Sequence, residues 1–117
     1  GVIPWSPLGG GLLSGILRKH TEGRAATERT QQALEEHREA ITAYESLCDE
    51  LGEQPADVAL AWLLHQPAVT APIIGPRTMD QFRGSLRSLE IHLDDDALAR
   101  LDELFPAVGP APEAYAW

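Results

Sequence analysis

Two short apolar runs, GVIPW at residues 1–5 and VTAPIIG at residues 69–75, constrain what this chain can fold into. Each reads as a buried strand: Ser-Pro closes the first and Gly75 closes the second. Pro4 has no N–H to give a sheet ladder, so it belongs near the end of its strand. More than sixty residues of largely helical pattern separate the runs. A connection of that kind predicts parallel rather than hairpin pairing, and hence an α/β fold. Two strands alone do not make a stable sheet with helices on it. The chain also opens on Gly1 rather than Met, directly in an apolar stretch. Both features lead us to expect a piece of a longer protein.

Between the runs, Leu34, Ile41, Tyr44, Leu47, Cys48 and Leu51 recur at three- and four-residue steps, with Glu35, Glu36, Arg38, Glu39 and Glu45 read as the opposite, solvent side. This predicts an amphipathic helix over residues 28–51. Gly52 ends it where a left-handed residue is needed, and Pro55 opens a second helix, apolar nearly all round, that Pro67 stops. Thr78 and Gln81 match a capping box for a third helix ending near Ser88. Asp94 is the N-cap expected for a fourth, with Leu98, Leu101 and Leu104 inward. Residues 16–27 read as an irregular loop. The proline- and aromatic-bearing end, with Tyr115 and Trp117, reads as an extended tail.

The 117 residues carry 18 acids against 9 Lys and Arg, a formal net charge of −9. That balance argues against nucleic acid and anionic membrane as partners. No apolar run approaches the ~20 residues of a membrane span, and the lone Cys48 fits a reducing, cytoplasmic setting. The negative charge is uneven. From residue 69 to 89, Arg77, Arg83 and Arg87 stand against Asp80 alone, a net of 3 − 1 = +2.

That basic island surrounds the junction PIIGPRTMDQF, where an apolar run gives way to a helix start. Free N–H groups and the helix dipole favour an anion there, and Arg77 and Thr78 add a charged fork and a hydroxyl. The same residues could equally cap the helix and leave Arg77 in solvent. The glycine-rich PLGGGLLSG lacks the Gly-Lys-Ser/Thr of a P-loop and the G-x-G-x-x-G dinucleotide spacing, so alone it is an ordinary loop. Trp5 could stack on a planar ring or simply serve a core. His20, His37, His65 and His92 show no metal-ligand spacing, and Asp94–Asp96 suit a helix start better than a metal.

Four stretches in order, WSPLGGGLLSG, ALAWLLHQPAVTAPIIG, RTMDQFRGSL and the ending APEAYAW, resemble the C-terminal third of an aldo/keto reductase. The resemblance is nearest to the bacterial branch that is also similar to the potassium-channel β subunit. It implies a partial (β/α)8 TIM barrel, with strands 7 and 8, their helices and the tail forming the C-terminal part of one domain. It implies NADP(H) as cofactor and a small-molecule aldehyde or ketone as substrate. By position, Trp5 resembles the aromatic that stacks on the nicotinamide. Ser6, Pro7, Leu8 and Gly10, with Ser14 beside them, resemble the segment along the pyrophosphate. Gly75, Arg77, Thr78 and Gln81 resemble the turn at the 2′-phosphate. Gly84 and Ser85 depart from the family's usual Glu-Asn near the adenine, which implies either weaker adenine recognition or stacking supplied by Arg83 or Arg87. The family's catalytic tyrosine, aspartate, lysine and histidine have no counterpart here, so no catalytic residue is assigned and the fragment alone is expected to be inactive. A cofactor-sensing regulator like the channel β subunit is the alternative. A free-standing helical protein without an active site is a third.

Overall fold

The computed structural model describes residues 1–18 and 27–107. The eight residues 19–26, most of the expected loop, and the tail with Tyr115 and Trp117 lie outside the described residues. Four helices follow one another: α1 (Glu28–Leu51), α2 (Pro55–Leu64), α3 (Met79–Arg87) and α4 (Asp95–Leu104).

Local chemistry sets their ends. The Thr27 hydroxyl accepts from the Thr30 N–H and starts α1, and Gly52 ends it with φ +70°, the left-handed conformation an L side chain resists. Pro55 occupies the first turn of α2, where its missing N–H leaves no bond unmade. Thr78 accepts from the Gln81 N–H at 3.1 Å to start α3, and Asp94 accepts from the Ala97 N–H at 2.8 Å to start α4. These boundaries match their sequence expectations, while α2 ends at Leu64, short of the Pro67 expected to stop it. One departure lies inside α1, where His37 leaves helical geometry and the axis kinks.

The core is helical. Tyr44, Leu47 and Cys48 of α1 meet Val58, Ala59 and Ala61 of α2, Ile91 and Leu93 of the connection, and Ala97 and Leu101 of α4. Leu98 and Leu104 pack against it half-buried. Fully burying one such aliphatic side chain stabilises the fold by about 1.5–3 kcal/mol. The Tyr44 hydroxyl donates to the Pro55 carbonyl, so its buried oxygen is satisfied, and the Phe105 ring meets Tyr44 edge-on at 5.8 Å. His65 links α2 to the connection: Nδ1 lies 2.7 Å from the Ala61 carbonyl, and Nε2 accepts from the Leu93 N–H at 3.2 Å. It is a satisfied structural histidine. The half of α2 nearest His65 is only part-covered, at Trp62, Leu63 and Leu64, so the expectation of a mostly buried helix holds for its first half.

The expected sheet does not form. Among the described residues there is one isolated parallel bridge, Val2 with Val69, and no strand, so the partial (β/α)8 barrel with strands 7 and 8 is not what the chain adopts. The direction of pairing was right: Val2 N–H donates to Ala68 O and Thr70 N–H to Val2 O, both at 2.8 Å. The next rung would need N–H groups from Pro4 and Pro72, and neither has one. The chain slips by one residue, and Ile73 N–H reaches Pro4 O at 2.9 Å instead.

Two glycines give opposite expectations in thermal melts. Gly52→Ala forces a Cβ into positive φ and should destabilise by about 1 kcal/mol. Gly84→Ala, where the new Cβ meets only the Asp57 Oδ1 at an unstrained 3.7 Å, should stabilise α3 by up to about 1 kcal/mol.

Candidate functional site

The short parallel pairing sets the end from which both groups of functional candidates continue. Beyond the Pro4–Ile73 hydrogen bond the two segments leave the pair at the same end. One continues into Trp5 and the glycine-rich loop, the other into Gly75 and the start of α3. The two sequence-predicted groups, far apart in the chain, therefore continue from the same end of this pairing.

On the loop side, Trp5 is 78% exposed, so most of its indole is open to a stacking partner. Ser6 follows with φ +52°, a left-handed conformation uncommon outside glycine, and its carbonyl accepts from the Gly9 N–H at 3.0 Å. Gly9, Gly10, Gly11 and Gly15 also have positive φ, so the run of glycines answers to backbone geometry. Pro7 and Leu8 turn inward. Leu8 packs on the main core, and Pro7 joins Leu13, Trp62, Leu101 and Phe105 around an apolar cleft of about 300 Å³. The Gly10 carbonyl accepts from the Thr30 hydroxyl at 3.2 Å, and Ser14 donates to the Gly11 carbonyl at 2.6 Å.

On the α3 side, Gly75, Arg77, Thr78 and Gln81 are all exposed. The Arg77 N–H donates to the Gln81 Oε1 at 2.7 Å, so the capping box reaches back to the residue before the N-cap. The capping reading of the junction therefore holds. Thr78 and Gln81 cap the helix, while the Arg77 guanidinium makes no ion pair among the described residues. Capping uses acceptors only. The Thr78 O–H and the Gln81 amide N–H₂ remain as donors, and Met79 and Asp80 at the first turn have N–H groups with no acceptor inside the helix.

The neighbouring positions behave differently. The Ser85 hydroxyl donates to the Gln81 carbonyl at 3.0 Å, and Gly84 faces Asp57 of α2. Arg87 pairs with Glu53 at 2.6 Å and Glu90 at 2.8 Å, bonds that hold it protonated beyond the usual guanidinium range. Of the three arginines in the basic island, Arg77 and Arg83 are the two without a carboxylate partner among the described residues.

Sequence reasoning missed one element. Glu45, assigned to the solvent face of α1, is buried with its side chain 5% exposed, held by Leu17 and Arg18 at the exit of the glycine-rich loop. Its position four residues after the buried Ile41 was the available signal.

The sequence profile of the aldo/keto reductase family matches residues 1–105. The uncharacterized oxidoreductase YrpG of Bacillus subtilis (strain 168) is 48% identical over 118 aligned residues, covering all of this chain and 36% of YrpG. Protein tas of Escherichia coli (strain K12) is 30% identical, over 95% of this chain and 34% of that protein. A probable voltage-gated potassium channel subunit beta of Arabidopsis thaliana is 24% identical, over 98% and 38%. The chain thus spans about a third of the length of these curated relatives.

Among the described residues no group of three or more His, Cys, Asp or Glu is placed to hold a metal ion. The thiol of Cys48 is buried in the core, and desolvation pushes it up to about 11, offset in part by Tyr44 and Arg18. Tyr44 is pushed up likewise, first by burial. Both groups therefore favour the folded state below their ordinary ranges, and that stability is lost as the pH climbs through them towards the folded values. Iodoacetamide at about pH 8 should leave Cys48 unmodified in the native protein and label it rapidly in urea, read by intact mass.

Proposed function

The chain belongs to the aldo/keto reductase family, an oxidoreductase family, and from that premise we propose that it is the cofactor-binding, C-terminal portion of a cytoplasmic NADPH-dependent reductase of aldehydes or ketones. The observation that carries this reading is that the Trp5 loop and the Arg77 turn both continue from one end of the Val2–Val69 pair, with Arg77 in no ion pair among the described residues. An exposed aromatic face and an anion site at such an end suit the two extremes of a phosphorylated dinucleotide.

The residues present fit that ligand. Arg77 offers a guanidinium fork for the 2′-phosphate, and Thr78, Gln81 and the first-turn N–H groups offer donors beside it. Thr78 Oγ1 and Gln81 Oε1 already accept hydrogen bonds, so their O–H and N–H₂ are the groups they have to offer an anion. Ser6, Pro7, Leu8 and Gly10 form the wall beside the pyrophosphate, and Trp5 the platform for the nicotinamide. When bound, the cofactor supplies the hydride. What this chain contributes is placement of its two ends and exclusion of water by the loop. The proton for the carbonyl oxygen comes from residues outside this chain, so the chain alone is proposed to be inactive.

The adenine end is poorer than the resemblance implies. Ser85 donates back to its own helix and Arg87 is committed to Glu53 and Glu90, so Arg83 is the remaining candidate for stacking. The discrimination between NADPH and NADH then rests on Arg77. The likeness to a channel β subunit along 98% of the chain supports a second reading, a cofactor sensor of low turnover.

Titrating the full-length protein with NADPH and NADH, followed by tryptophan quenching, tests the assignment. Arg77→Ala should weaken NADPH by about 1–3 kcal/mol, roughly five- to 150-fold, and leave NADH nearly unchanged. Equal NADPH affinity in variant and wild type would remove Arg77 from the site.

A further inference from the structure

The glycine-rich loop contains five residues at positive φ between Ser6 and Gly15. Four of them are glycines, whose backbone has many other conformations open to it and makes a poor wall for a ligand unless something orders it beforehand, because ordering on binding subtracts from affinity. Besides the loop's own turns and the packing of Leu8 and Leu13 on the main core, the structure supplies that order along α1. Near the start of α1, Thr30 donates to the Gly10 carbonyl. Further along, Ile16 lies in a small cluster with Leu34 and Ile41. Where the loop leaves, Glu45 Oε2 accepts from the Leu17 N–H at 3.1 Å and Glu45 Oε1 from the Arg18 Nε at 2.9 Å. The same guanidinium donates to the Glu45 carbonyl at 2.6 Å and to Asp49 at 2.8 Å.

This last set is unlike the surface ion pairs elsewhere on the molecule. The Glu45 side chain is almost wholly buried, and a carboxylate there is costly unless fully partnered. Its partners are a backbone N–H and a guanidinium of the loop itself, 27 and 28 residues away in the chain. The burial of Glu45 and the position of the loop's exit thus require each other. The planar fork of Arg18 reaches three acceptors at once, which an ammonium could not reproduce in the same geometry.

We propose that Arg18 and Glu45 are positioning residues for the dinucleotide: they latch the exit of the glycine-rich loop onto α1 and so set how slowly the cofactor leaves. The inference rests on the cofactor reading above. Neither residue is among the proposed cofactor contacts, and both act through the loop.

Stopped-flow release of NADPH from the full-length protein tests the latch, with a thermal melt and the carbonyl KM as companions. The double variant Arg18→Met with Glu45→Met removes both charges together and leaves no unpaired buried ion, so the fold should hold. Release should quicken by about tenfold, with the melting point and carbonyl KM little changed. Arg18→Lys, which keeps the charge without the fork, is the second variant and should quicken release about threefold. Wild-type release in a folded double variant would overturn the latch, and so would wild-type release in Arg18→Lys should the double variant fail to fold. A wild-type protein that binds no NADPH would overturn the cofactor reading and the latch with it.

Discussion

Three backbone hydrogen bonds, donated by Val2, Thr70 and Ile73, join the start of the chain to a segment beyond α2. The remaining architecture follows from that join. The bonds are parallel in sense, so the segments must end side by side, and the chain between them must travel out and back as two helices. That return path brings α1 and α2 together around Tyr44 and Val58 and lays α1 beneath the glycine-rich loop. The pairing is short, yet it sends the Trp5 loop and the Arg77 turn out from the same end.

The helices were legible in the sequence because their signals are local. Thr78 with Gln81, Asp94, Gly52 and Pro55 each act within one turn of where they stand, and each marks a boundary in the structure. The apolar runs were misleading because a strand is a contract with a neighbour. Residues 69–75 have the composition of a strand, but Pro4 and Pro72 face each other where the next rung should form. Glu45 was misplaced for a related reason. A carboxylate can turn inward only if a partner comes to it, and that partner, Arg18, lies in a stretch with no periodicity to betray its position.

The candidate site was legible in part. Parallel pairing of the two apolar runs was readable from their separation, and it sends the Trp5 loop and the Arg77 turn out from the same end. Pairing then sorts the basic island in a way composition could not. Arg87 is spent on holding α3 to the α1–α2 turn through Glu53, while Arg77 and Arg83 keep their charge for solvent or a ligand. Ser85 is similarly spent on its own helix. Which polar groups are free is a property of the folded neighbourhood.

The two prolines that halt the pairing have an effect outside the molecule. Val2, Ile3, Ile73 and Ile74 remain exposed, which makes an apolar edge of the kind on which another chain could grow. A templating strand needs a regular row of N–H groups to dock against. Pro4 and Pro72 cut the regular pairing short at Val2 and Val69, so the same feature that denies this chain a sheet of its own leaves another chain little regular backbone to extend.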